Sequence, residues 1–339
     1  MSLFASKKTE HVHPLDGVDA VLADLDGVVY QGADAIPFAV DALNRVAADG
    51  LRVGYITNNA SRTDVQVAEH LSSFGLAVQA DDVVTSPQAA MRVMRTLVDP
   101  GSRILVVGGV GLVSEVEKAG FEPTRSAEDS PAAVVQGFAP EVGWTQLAEA
   151  AFALHDASVH WVATNTDWTI PVARGIAPGN GTLVSAVHTA VGRLPVVAGK
   201  PETTIFEVAA DRFAASNAAF IGDRLDTDTL GAKRAGLRAI HVLTGIDRAK
   251  QLLAAPADSR PDFILDDLRQ LSEPYPVARV SKDGSETKVG SSVVRVAGNR
   301  VRVVKPGDSA VDLLRAGCAM IWGSGISIHA LDVDPALYS

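Results

Sequence analysis

The chain has 339 residues, enough for about two or three domains, and is 47% apolar and 21% charged, as an ordinary globular protein is. A formal net charge of −10 speaks against a nucleic-acid partner, which needs a basic face, but leaves small anionic substrates open, because local charge decides their binding. Cys318 is the only cysteine, which excludes an intrachain disulfide, and no apolar run reaches the ~20 residues of a membrane span. A cytoplasmic protein with no nucleic-acid or membrane partner is expected. The opening, Met1 to Gly17, is polar, carries Lys7 and Lys8, and lacks the apolar core of a secretion signal.

Val18 to Leu25 is a short apolar run that reads as a buried parallel strand. It ends in Asp24, then Asp26 and the turn residue Gly27. Ligands of open α/β sheets gather beyond the carboxyl ends of the strands, so both carboxylates are expected at a site. Two carboxylates in apolar surroundings need a cation or a shared proton. Mg2+ is the expected cation, since it favours oxygen ligands and usually takes one or two carboxylates. A calcium loop would need a third acid two residues on, and Val28 stands there.

A helix is predicted from about Pro37 to Asp49, with Gly50 stopping it, and a strand from Leu51 to Thr57. Ser61 is placed to cap a helix running to about Phe74. Between them, Thr57 and Asn58 suit turn and cap duty, which this stretch alone favours, or a phosphate cradle beside a helix start. Ser86 to Val98 reads as a helix and Arg103 to Val107 as a strand. Gly108 to Gly111 imitates a dinucleotide fingerprint, but Ser114 stands where Gly or Ala is wanted, so a tight turn is preferred.

Strand Ala132–Gln136, helix Trp144–His155 and strand Ser158–Ala163 precede a polar loop, Thr164 to Asn180, and a helix, Gly181 to Val191. Long structureless loops inside compact domains are usually functional. The histidines are scattered, without zinc spacing. Lys200 precedes a helix from Thr203 to Phe213; near a diacid site it would neutralise charge and bind phosphate. Strand Ala218–Gly222 ends in Asp223, with Asp226 and Asp228 opening the next helix. Strands Leu237–Leu243 and Asp262–Leu265 complete an alternating βα pattern, which predicts a doubly wound parallel sheet. From about Pro274, strands Val277–Val280, Lys288–Val296 and Arg300–Val304 and a helix, Asp308–Trp322, predict a small α+β appendage with Cys318 in its core.

Asp24-x-Asp26, Thr57, Lys200 and Gly222-Asp223 with Asp228 follow one another in an order that resembles the haloacid-dehalogenase (HAD) superfamily of phosphatases. DLDGVVYQG, ITNNAS, ATNTD, GKP and GDRLDTD are similar to its NagD-type, 4-nitrophenylphosphatase and phosphoglycolate-phosphatase branch, over roughly Val18 to Leu271. The resemblance implies a Rossmann-like core in two parts, 18–83 and 198–272, with an α/β cap inserted at 84–197; the appendage, 275–339, lies outside the pattern. It implies a Mg2+-dependent phosphatase hydrolysing a small phosphomonoester, of the glycerol 3-phosphate or 2-phosphoglycolate type, through an aspartyl-phosphate. Asp24 would be the nucleophile and Asp26 the general acid and base. The side chains of Asp24 and Asp223 and the backbone carbonyl of Asp26 would hold the metal, with Asp228 in support. Thr57, Asn58 and Lys200 would hold the phosphoryl oxygens, and Asp167, Trp168 and Arg174 in the cap loop would select the substrate. A homo-oligomer is compatible with this pattern. A phosphotransferase or mutase on the same core, and a metabolite-binding sensor, are the rival readings.

Overall fold

The structure is a computed structural model describing residues 11–172 and 174–339; Lys7 and Lys8 of the polar opening lie outside them. The chain begins its main sheet with β1 (Ala20–Ala23), followed by α1 (Ala39–Ala48), β2 (Arg52–Thr57), α2 (Asp64–Ser73), β3 (Val83–Thr85) and α3 (Ser86–Met94). All four residues of β1 are buried, because both sheet faces are covered. Their alternation splits the core: Val21 and Ala23 pack into one layer, Ala20 and Leu22 into the other. In α1, Ala39, Ala42, Leu43 and Val46 form the buried stripe that the helical period requires. The cap of α2 is Thr63, not Ser61. Its hydroxyl accepts from the Gln66 amide N–H (3.2 Å) while the Thr63 N–H donates to the Gln66 side chain (3.0 Å). Ser61 instead donates to Asn59 Oδ1.

An inserted unit follows: β4 (Arg103–Val107), α4 (Val110–Lys118), β5 (Glu122–Thr124), β6 (Ala133–Gln136), α5 (Trp144–Leu154), β7 (His160–Ala163), β8 (Thr169–Val172), β9 (Gly175–Pro178), α6 (Asn180–Val191) and β10 (Val196–Val197). Five of these strands form a parallel sheet in the order β10-β7-β6-β4-β5. The Thr164–Asn180 segment is not structureless. β8 and β9 pair as an antiparallel hairpin, Thr169 opposite Pro178 and Val172 opposite Gly175. Prolines disguise it in the sequence, yet a two-stranded ribbon is all edge and tolerates them.

The chain then returns with α7 (Thr203–Phe213), β11 (Ala218–Gly222), α8 (Leu230–Arg234), β12 (Arg238–Val242), α9 (Ala249–Leu253) and β13 (Phe263–Leu265). The main sheet has six parallel strands in the order β13-β12-β11-β1-β2-β3, the doubly wound arrangement expected. Asp226 and Asp228 do not open an α-helix directly: Leu225–Thr229 is a π turn, and α8 begins after it.

The tail comprises β14 (Arg279–Val280), β15 (Glu286–Val289), β16 (Ser292–Ala297), β17 (Arg300–Lys305), α10 (Ala310–Ser324) and β18 (Asp332–Val333), the strands pairing in chain order. The predicted strand Lys288–Val296 is two strands, turned at Gly290, whose φ of 54° favours glycine. Val289, Val294 and Val301 pack with Leu313, Leu314 and Cys318 of α10, in one cluster with Leu225, Leu252, Leu253 and Ile264 of the main unit. Among the described residues no helix is long and apolar enough to cross a membrane.

Candidate active site

The carboxyl ends of β1 and β11 lie side by side, since Ala23 pairs with Ile221 and the Asp24 N–H donates to the Ile221 carbonyl (2.8 Å). Beyond β1 the chain curls around one acceptor: the N–H groups of Val29 and Tyr30 both donate to the Leu25 carbonyl, at 2.9 and 3.1 Å. Gly27 holds the bend with φ of 81°. A Cβ there, or on Gly245, would land on the Asp223 carboxylate, so these two glycines form the walls of its slot. Asp223 Oδ2 accepts from the Ile246 N–H (2.7 Å), and Thr244 ties the two walls by donating its hydroxyl to the Gly27 carbonyl (2.6 Å).

The π turn after β11 swings Asp228 back beneath the strand end. Its Oδ2 accepts from the N–H groups of Asp223 and Arg224, both at 3.1 Å, and its Oδ1 accepts from Lys200 Nζ at 2.6 Å. Lys200 Nζ also lies 2.7 Å from Asp24 Oδ1. Lys200, Asp24, Asp223 and Asp228 are all buried. Burial pushes the Asp24 carboxyl well above the usual carboxylate range; Lys200 draws it back, and the neighbouring Asp228 and Asp223 add to the rise. Burial, then Asp228, pushes Asp223 up to about 7. Burial alone would lower the Lys200 ammonium, but Asp228 and Asp24 outweigh it and hold the proton on.

Three carboxylates against one ammonium leave two negative charges in a buried cluster. Oxygens of Asp24, Asp223 and Asp228 lie within 4.8 Å of one another. Asp24 Oδ2 and Asp223 Oδ1 have no hydrogen-bond partner among the described residues. Uncompensated buried charge is costly, and hard oxygen donors in this arrangement fit a divalent cation such as Mg2+. Both oxygens of Asp228 already accept from the protein, which suits it to hold Lys200 and the Asp223 backbone in place.

Asp26 stands at the mouth, exposed on its outer side. The surrounding protein raises its carboxyl; Lys200, Arg62 and a hydrogen bond with Tyr30 work against that rise. Thr57 is buried at the end of β2, and its hydroxyl accepts from the Asn59 N–H (3.1 Å). Asn58 differs from expectation, because its carboxamide is committed elsewhere. Oδ1 accepts from the Lys200 N–H (2.9 Å), and Nδ2 donates to the Lys200 carbonyl (3.1 Å) and to the Asp167 carboxylate (3.2 Å).

Of the three cap-loop residues, Asp167 alone turns to the site. Burial raises its carboxyl, against the pull of Arg224 and Asn58. Trp168 is 66% exposed, and Arg174 is exposed at the hairpin turn. Two residues that the sequence did not single out join this place. Tyr30 hydrogen-bonds Asp26, and Arg224 lies beside Asp167 while gripping Asp226 at 3.0 and 2.8 Å. The only hint of Arg224 in the sequence is its setting between acids. The Gly109–Gly111 turn serves close approach: a Cβ on Gly111 would land on the Arg62 carbonyl, so α4 rests directly on the loop after Asn58.

The comparisons with known proteins agree with this geometry. A family model described as haloacid dehalogenase-like hydrolase matches residues 21–122, and a HAD-hydrolase-like model matches 197–271. A D-glycerol 3-phosphate phosphatase of Mycobacterium tuberculosis is 40% identical over 306 residues, covering 90% of this chain and 86% of that protein. A glycerol-3-phosphate phosphatase of Gallus gallus is 35% identical over 286 residues, covering 76% and 92%. The crystal structure of a Mycobacterium tuberculosis glycerol phosphate phosphatase in complex with magnesium superposes with a TM-score of 0.86 at 37% identity, covering 96% of this chain and 95% of that one. A p-nitrophenyl phosphatase from Archaeoglobus fulgidus gives 0.69 at 27% identity, covering 75% and 98%.

Proposed function

The chain belongs to the haloacid dehalogenase-like hydrolases, and we propose that it hydrolyses a small phosphomonoester of the glycerol 3-phosphate type by transient phosphorylation of Asp24. It is a phosphoric monoester hydrolase, with Mg2+ as its cofactor. One observation carries the assignment of roles: Asp24, Asp223 and Asp228 converge with Lys200 at the carboxyl edge of the sheet, with two carboxylate oxygens left open.

In this reading Asp24 and Asp223, with the Asp26 backbone carbonyl, hold the metal. When bound, Mg2+ supplies positive charge that offsets the repulsion between carboxylate and phosphate. A carboxylate oxygen of Asp24 attacks phosphorus, the bond from phosphorus to the ester oxygen breaks, and Asp26 gives its proton to the departing alkoxide. Water then attacks the aspartyl-phosphate, Asp26 takes the proton back, and inorganic phosphate leaves with Asp24 restored. The raised carboxyl of Asp26 suits a group that must first donate. Lys200 holds the near oxygen of Asp24 and has a third N–H for a phosphoryl oxygen, with the Thr57 end of β2 completing the cradle. Asn58 serves by fixing the Lys200 backbone to Asp167.

The inserted unit, 84–197, acts as a cap that excludes water, with Asp167 and Arg224 reading the hydroxyls of the organic part. The cytoplasm is the compartment this reading implies. The test is phosphate release across a panel holding glycerol 3-phosphate, 2-phosphoglycolate, pyridoxal phosphate, sugar phosphates and 4-nitrophenyl phosphate, with chelated and Mg2+-restored enzyme. Glycerol 3-phosphate should give the highest kcat/KM, and only with metal. Release from no ester at any Mg2+ concentration would refute the activity, and a different leader would refute the substrate alone.

A further inference from the structure

The chain is acidic overall, but its charge is unevenly placed. Residues 275–339 hold 8 of the 30 lysines and arginines and only 6 of the 40 aspartates and glutamates, a net of +2 against −12 for the rest. The tail sheet concentrates this further. Val289, Val294 and Val301 point inward to α10, so their alternating neighbours point outward. The outward row runs from Lys288 through Arg295 and Arg302 to Arg300, with Lys305 opposite Val293. Among the described residues only Glu286 and Asp332 answer these five cations, pairing with Arg295 and Arg302. No ion pair joins Lys288, Arg300 or Lys305 to an acid among the described residues, and all three are exposed.

We infer that this open sheet face docks on an anionic lipid bilayer. Three features favour a bilayer over other polyanions. The outward residues, with Val293, Ala297 and Val304 among them, include no aromatic on which the bases of a single-stranded nucleic acid could stack. Five strands span roughly 20 Å, too broad to enter a major groove ~12 Å wide. A bilayer asks only for a broad basic surface, and Val304, 49% exposed, adds aliphatic contact between the charges. The acidic remainder of the chain is repelled by the same membrane, which orients the protein tail-first. Net charge alone argued against such a surface; the register of the tail strands supplies what net charge hides.

The test is co-sedimentation of the full Mg2+-loaded protein with phosphatidylcholine vesicles, with and without phosphatidylglycerol, at low and high salt. Binding is expected to the anionic vesicles alone and to disappear at high salt. Each basic residue at such a surface is worth about fivefold in partition, so reversing Lys288 and Arg300 together (K288E/R300E) should weaken binding by well over about tenfold. That variant should hydrolyse a soluble ester at the parent rate, and Lys288→Gln with Arg300→Gln gives a milder pair if the reversal impairs folding. No binding to anionic vesicles at low salt would overturn the inference. So would binding unchanged in both pairs, tighter binding to DNA or RNA than to the vesicles, or self-association through the same residues.

Discussion

Asp24 stands where the sequence most plainly marks a function, at the end of a strand buried on both faces. Asp24→Asn should keep the fold and lower kcat by at least about a thousandfold, because an amide is neither an anionic nucleophile nor a good Mg2+ ligand. A folded, metal-loaded variant with substantial turnover and no deamidation would defeat the assignment. Asp223 makes a second prediction, in pH. Its carboxyl is pushed up to about 7 in the folded protein, above its unfolded value, so the metal-free protein binds more protons than the unfolded chain between about pH 4 and 7. Stability from this group is therefore greatest at low pH and is lost as pH rises toward 7. Metal binding runs the other way, since a proton competes for the carboxylate below 7. The apparent Mg2+ affinity, measured by titration calorimetry, should fall by up to about tenfold per pH unit under acid conditions. An affinity flat from pH 5 to 8 would contradict it. The positions of Asp24, Asp26 and Asp223 were legible because a strand end fixes its own residues. The direction of Asn58 was not: its carboxamide is captured by Lys200 and Asp167, which lie 142 and 109 residues further along the chain.

Elements were legible where their period was clean and failed where turn chemistry disguised them. The strand Arg103–Val107 and the helix Thr203–Phe213 fall where the pattern puts them. The hairpin of β8 and β9 hid because Pro171 and Pro178 read as loop, and the break at Gly290 hid because valines continue on both sides of it. The hairpin matters because it fixes the arm carrying Asp167. Backbone N–H groups of Gly179 and Gly181 donate to the carbonyls of Trp168 and Asp167, at 2.8 and 2.9 Å, so the arm is stitched to the start of α6. Asp167→Ala should thus leave the arm in place while removing a carboxylate that faces the site and accepts from Asn58 Nδ2. We expect the preference for glycerol 3-phosphate over 4-nitrophenyl phosphate to change by about tenfold, ~1.4 kcal/mol. Trp168→Ala and Arg174→Ala, at exposed positions, should change that ratio far less. Equal loss on every substrate in Asp167→Ala would mean that the residue closes the cap and does not select.

At the scale of the whole molecule, the tail is joined to the enzyme by its core. The cluster around α10 includes Leu252 and Leu253 of α9, Ile264 of β13 and Leu225, which opens the π turn carrying Asp228. Polar ties follow the same seam: Arg315, buried, donates to the Ile264 carbonyl at 2.8 and 2.6 Å, and Trp322 donates to the Leu252 carbonyl at 3.2 Å. The element pattern suggested an appendage because short strands replace the alternating βα units from about Pro274, and that pattern does not report where an apolar helix face finds its partner. Shared packing of this kind couples the two units in unfolding, since melting α10 uncovers α9 and β13 together. Leu314, buried in the middle of the cluster, tests it. Leu314→Ala should leave a cavity and cost about 2–5 kcal/mol, as large-to-small core changes do. Fluorescence and loss of phosphatase activity should then shift to lower temperature together, in one transition. A variant whose tail melts first while hydrolysis persists at the parent temperature would show that the tail folds independently of the site, and that the π turn holds Asp228 without it.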